Sequence, residues 1–126
     1  MLDFYPYQNL IIFVARIVLG VTFLRHGWPK IKNPLGMKEW LASMKFPVPV
    51  FLSVVVALVE FFGGIAVLTG IYIQPASLLI AINMVVTTFV KKRHMKKGWV
   101  DGYELDLALL ALALMLALYG PGDWII

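Results

Sequence analysis

LVEFFGG, residues 58–64, sets a single carboxylate, Glu60, at the centre of an apolar run that begins at Val50 and continues to Ile73. A helix that crosses a bilayer takes roughly 20 residues, with a range of about 17–25, and this run is long enough. Working outward from it, three more stretches cross or nearly cross a bilayer: residues 8–23, 75–90 and 104–119, beside 50–70 around Glu60. The chain has 126 residues, which suits one domain over residues 1–126; 61% of them are hydrophobic and only 14% are charged. A soluble domain of this size has a large surface for its volume and needs more polar residues than that to cover it. Lipid is therefore the expected solvent.

The first apolar stretch lacks a basic leader and carries Arg16 in its middle, so it reads as a retained helix and not as a cleaved signal. Tyr5, Tyr7, Trp28, Trp40, Tyr72, Trp99, Tyr103, Tyr119 and Trp124 all fall at or outside the segment ends, where amphipathic rings sit at membrane interfaces. Four crossings put both termini and the turn at Tyr72 on one face. The opposite face holds Arg25, Lys30, Lys32, Lys38, Lys45, Lys91, Lys92, Arg93, Lys96 and Lys97, and the first face holds no Lys or Arg. The bias of basic residues toward cytoplasmic loops then places residues 24–49 and 91–103 in the cytoplasm and both termini outside a cell membrane. Within the first of these loops Met37, Trp40, Leu41 and Met44 follow helical spacing, with Pro47 and Pro49 beyond them. The expected fold is all-α: an integral membrane four-helix bundle with a short interfacial helix in the first cytoplasmic loop, either resting at the headgroups or acting as a lid over a lateral opening.

Composition also removes whole classes of chemistry. With no cysteine, the chain cannot run thiol, disulfide or thiolate-metal reactions. Two distant histidines without an HxxxH or ExxH pattern make no metal-ligand set, so no metal is expected. Gly63 and Gly64 lie inside an apolar helix and not after a strand, so they form no phosphate loop. The formal charge of +4 comes from the two basic loops, which points to anionic lipid at the run 91–97 and not to nucleic acid.

Arg16, Glu60 and Asn83 fall near the middles of the first, second and third segments. A charge at a helix centre costs about 2.5–3.5 kcal/mol on insertion scales, so opposite charges at matched depth are most simply explained as partners. Ser53, Ala57, Glu60 and Gly64 form one small-residue stripe, and Gly20 lies one turn from Arg16, which favours close approach of the first two helices. Two readings stay open. In one, the Arg16–Glu60 pair only sets helix register; in the other, Arg16, Asn83 and Gly64 bind a polar head group while Glu60 gives or takes a proton. A second cluster is expected at the cytoplasmic edge, where Arg25, His26 and Lys30 close the first segment and Asp101, Glu104 and Asp106 open the fourth; it reads either as salt bridges at headgroup level or as a proton entry route in which His26 and Glu104 connect the cytoplasm to Glu60.

The stretches RIVLGVTFLRHGWPKI (16–31), EFFGGIAVLTG (60–70), YELDLALLALAL (103–114) and GPG (120–122) together resemble the DoxX family of small four-helix membrane proteins. The resemblance covers nearly the whole chain, on Arg16, Gly20, Phe23, His26, Gly27, Lys30, Glu60, Gly64, Glu104 and Asp106. Family members commonly follow the GPG with an aromatic residue, Ser, Leu and Asp, whereas here it is followed by Asp123 and Trp124. Because relatives include a subunit of a thiosulfate:quinone oxidoreductase and members of a membrane oxidoreductase complex, the resemblance implies a quinone-interacting subunit. Such a subunit would use isoprenoid quinone and a soluble oxidoreductase partner, and would not be catalytic alone. Two other classes remain: a non-catalytic scaffold or chaperone-like module that recruits a soluble partner, and a small-solute transporter, which with four helices requires a homo-oligomer.

Overall fold

In the computed structural model, which describes residues 3–125, helices account for all the regular structure among the described residues. Four of them are long and apolar enough to cross a membrane. After a single 3-10 turn at Tyr5–Tyr7 the order is α1 (Gln8–Lys32), α2 (Lys38–Ser43), α3 (Pro49–Thr69), α4 (Ile73–Arg93) and α5 (Glu104–Tyr119), with an irregular turn at Trp99–Tyr103 leading into α5. Only about a third of each span is buried inside the bundle. The rest, with residues such as Val14, Val18, Phe62, Ile82 and Leu114, points outward as apolar surface that lipid must cover.

The termini of the elements follow from local chemistry. Pro49 occupies the first turn of α3, where its missing N–H would have had no partner. Gly70 closes α3 with φ +85°, a conformation that side chains rarely adopt, and a Cβ there would lie 2.9 Å from the Arg16 guanidinium. Lys91, Lys92 and Arg93 sit in the last turn of α4, and Glu104 and Asp106 in the first turn of α5, each complementing the helix dipole.

Three helices have ends that differ by more than one residue from those read in the sequence. Helix α1 does not end at Phe23 but continues to Lys32, because charged residues are good helix formers and Pro29 costs only the hydrogen bond to the Arg25 carbonyl, on an exposed side of the helix. Helix α4 spans Ile73–Arg93 and so exceeds residues 75–90 at both ends. Helix α2 is present at the expected place, but it stops at Ser43, before the prolines, where Lys45 takes a left-handed turn (φ 62°).

Two antiparallel pairs make the bundle: α1 packs extensively on α3, and α4 on α5, while α3 meets α4 across a looser seam. Glycines set the tightness of the first pair. A Cβ on Gly27 would come 2.6 Å from the Phe61 amide nitrogen, and one on Gly64 would come 2.9 Å from that of Leu24. Leu19, Phe23, Val67, Ile80, Met84, Leu109 and Ala113 fill the space between the pairs. At one end the segment after α5 and the α3–α4 turn come together, with Asn9 bonded to Asp123 and Gln74 to the Ala117 carbonyl. At the other, the loops after α1 and α4 meet, with the rings of Phe46 and His94 6.2 Å apart.

Candidate functional site

Arg16 and Glu60 are not partners. The close approach of Gly27 to Phe61 sets the register of the antiparallel α1–α3 pair, and this puts Arg16 beside Val67 and Leu68, seven residues beyond Glu60 on α3. At roughly 1.5 Å rise per residue that is about 10 Å along the helix axis. The matched depth read from the sequence came from ending α1 too early, which moved its apparent midpoint onto Arg16.

Arg16 instead serves the far end of the bundle. Its guanidinium is fully buried and donates to the carbonyls of Val67 (3.1 Å), Leu68 (2.9 Å), Pro121 (3.1 Å) and Trp124, and it lies 5.3 Å from the centroid of the Phe13 ring. The last turn of any helix leaves carbonyls without intrahelical donors, and the fixed fork of an arginine can reach several at once. Arg16 therefore caps α3 and ties the segment after α5 to it.

Glu60 finds its charge partner one turn beyond Gly27. Lys30 Nζ lies 2.5 Å from Glu60 Oε2, and Asn83 Nδ2 on α4 donates to Glu60 Oε1 at 3.2 Å. Glu60 is 4% exposed and the Lys30 side chain 30%, so the pair runs from the protein interior to a wetter edge. Both carboxylate oxygens are bonded, one by a cation and one by a neutral amide. The depth correspondence expected between Glu60 and Asn83 is therefore real.

Around this pair is a cavity of about 300 Å³ between the two helix pairs, toward the end that carries the basic loops. His26, Lys30, Glu60, Asn83, Lys91 and Asp106 supply its polar and charged lining. Val56, Met84, Val86 and Val90 supply apolar wall, while Met37, Trp40 and Leu41 from α2 and its N-terminal flank close it from outside. α2 and its flank therefore form part of the chamber wall. Ser53 fastens the cover, donating to the Pro34 carbonyl (2.5 Å) and accepting from the Met37 amide (3.3 Å).

The edge cluster forms differently from the sequence reading. Lys30 turns inward to Glu60, and Arg25 faces a separate exposed groove beside Trp28 and Phe61. Glu104 is outside the chamber and accepts a hydrogen bond from the Asp101 amide at 3.3 Å, so it caps its own turn. The acid that reaches the chamber is Asp106, two residues on, which is 4% exposed with Lys91 Nζ 2.9 Å from its Oδ2. Gly64 does not line the chamber either; it faces the backbone of α1 at Leu24 and Gly20. Lys91 is thus a charged chamber residue given no site role from sequence, while Lys30 and Asp106, both named in the edge cluster, line the chamber with it. For Asp106 the signal was available, because helical periodicity puts positions 104 and 106 on different faces of α5.

Comparison with known proteins agrees with this architecture. A family model described as DoxX matches residues 11–93, which include Arg16, His26, Lys30, Glu60 and Asn83. The chain belongs to the DoxX family. Among curated relatives, this DoxX chain is 32% identical over 119 residues to the inner membrane protein YqjF of Escherichia coli (strain K12), covering 93% of this chain and 89% of that one. It is 28% identical over 107 residues to a Bacillus subtilis (strain 168) protein named "Putative oxidoreductase CatD" (85% and 77% covered), and 22% identical over 126 residues to the E. coli inner membrane protein YphA (95% and 90%). No solved structure matches it. With four spanning helices and inner membrane relatives, this DoxX protein is a multi-pass membrane protein.

Proposed function

We propose that this DoxX protein is the quinone-interacting subunit of a membrane oxidoreductase, and that the chamber beneath α2 holds the quinone head group. The observation that carries the reading is the make-up of the chamber: apolar walls and a cover at the membrane edge, with the Lys30–Glu60 pair, Asn83 and His26 on one side. Its volume of about 300 Å³ falls at the lower end for ligand sites and suits a single ring whose isoprenoid tail leaves sideways into lipid. The donor set fits as well. Lys30 and Asn83 can donate to a carbonyl oxygen, and the two carboxylates can accept from a hydroxyl.

A bound quinone would supply two-electron, two-proton carrier chemistry. The chain's own residues hold and move the protons: Glu60 is positioned to give or take one inside the chamber, with Lys30 keeping its charge balanced and Asn83 fixing the carboxylate plane. His26 is exposed and lines the same chamber, so its imidazole can pass protons between Glu60 and the aqueous side. Electrons come from a soluble partner docked on the basic loops, which also attract anionic lipid. The relative named as an oxidoreductase supports redox chemistry of this kind. With the basic loops inside, the chamber opens toward the cytoplasm.

Gentle purification, organic extraction and mass spectrometry for isoprenoid quinone test the reading, with Glu60→Gln, Asn83→Leu and Arg16→Gln alongside. Near-stoichiometric quinone in the wild type is expected, reduced in folded Glu60→Gln and Asn83→Leu and retained in folded Arg16→Gln, whose site lies at the other end. Quinone no more abundant than in bulk lipid would refute it.

A further inference from the structure

The chamber contains two lysine–carboxylate pairs, and the proton handling proposed above uses only Lys30–Glu60. Lys30–Glu60 belongs to the α1–α3 pair of helices, and Lys91–Asp106 to the α4–α5 pair, so the two approach the same cavity from opposite halves of the bundle. The second pair is not merely an edge salt bridge. Asp106 is 4% exposed, and its Oδ2 is paired with Lys91 Nζ at 2.9 Å, which uses only part of the acceptor capacity of the carboxylate. A buried carboxylate oxygen with spare acceptor capacity, lining a cavity, is available to a ligand.

We infer that the chamber recognises its ligand at two points, one oxygen of a para-dioxygenated ring at Lys30–Glu60 and the other at Lys91–Asp106. This rests on the quinone reading and adds to it Lys91 and Asp106 as ligand-contacting residues. Two physical arguments support it. First, each pair offers a donor, the ammonium, beside an acceptor, the carboxylate. A ring oxygen that alternates between carbonyl and hydroxyl needs both. Second, two lysines balance two carboxylates, so the chamber holds no surplus charge with which to attract an anion. A neutral ring with a polar group at each end suits that field, whereas a free anion would enter without a compensating cation.

The two-point arrangement makes a specific demand on ligand chemistry. 2-Decylhydroquinone carries hydroxyls at both ends of the ring, and 2-decylphenol lacks the para one. Each is titrated into detergent-solubilised wild type, Glu60→Gln and Asp106→Asn, with binding followed by isothermal calorimetry and folding checked by circular dichroism. The wild type should favour the hydroquinone about tenfold or more, the usual effect of one hydrogen bond to a charged group. In either variant that preference should shrink to about threefold or less, since the second hydroxyl then loses its charged acceptor. If Asp106→Asn does not fold, Lys91→Met with Asp106→Leu removes both charges together, a change that buried pairs often tolerate. Equal affinity of the two ligands for wild type, or an undiminished preference without the Asp106 carboxylate, overturns two-point recognition while leaving the quinone reading standing. Failure of wild type to bind either ring, with no quinone in the extract, overturns both.

Discussion

Replacing Lys30 by Met leaves the Glu60 carboxylate, 4% exposed, with one neutral hydrogen bond from Asn83. Removing one member of a fully buried ion pair costs about 3–5 kcal/mol. The Lys30 side chain is 30% exposed, so water reaches the broken pair and the expected loss falls to about 2 kcal/mol. Combining Lys30→Met with Glu60→Gln should then cost about 2 kcal/mol less than the sum of the single changes, because the second substitution removes the charge that the first one stranded. A second cycle supplies the control. Arg16→Gln and Glu60→Gln should add to within about 0.5 kcal/mol, since the guanidinium is bonded to carbonyls about 10 Å farther along α3. Both cycles are read from reversible unfolding in mixed micelles of mild detergent and sodium dodecyl sulfate, followed by circular dichroism. A coupling above about 1 kcal/mol between Arg16 and Glu60, or none between Lys30 and Glu60, would refute the register described here.

Gly27→Ala should destabilise the bundle by about 1–3 kcal/mol, because its Cβ would meet the Phe61 backbone at 2.6–2.8 Å, whereas Gly98→Ala, with nothing within 4 Å, should be close to neutral in the same unfolding assay. Arg16→Met should release the segment after α5, seen as faster proteolysis or hydrogen exchange at residues 121–125, with the chamber pairs unaffected. On the natural cysteine-free background, a membrane-impermeant maleimide should label Tyr72→Cys in intact cells and Lys96→Cys only after permeabilisation; the reverse pattern would invert the proposed orientation.

The spans were legible because a bilayer imposes one rule on every backbone group, so a run such as Val50–Gly70 has few alternatives to a membrane helix. The amphipathic spacing of Met37, Trp40 and Leu41 likewise announced α2. The existence of buried polar residues was equally plain, and Glu60 and Asn83 do share a site. Their partners were not legible. Hydropathy weakens after Phe23 even though α1 continues to Lys32, and those extra residues carry Lys30 back over Glu60.

What the sequence by itself determined about this protein is its solvent, its number of crossings and the fact that its basic loops gather at one end of the bundle, since these depend on composition along one dimension. Only the tertiary structure decided which charge meets which. Helix register is set by a few backbone contacts, here Gly27 against Phe61 and Gly20 with Gly64, and a shift of one turn would change every pairing between α1 and α3. The chamber depends on register in two independent helix pairs at once, as well as on the cover that α2 lays over them. That is why a buried arginine which looked like the partner of Glu60 turned out to cap α3, and why Asp106, and not Glu104, faces the chamber.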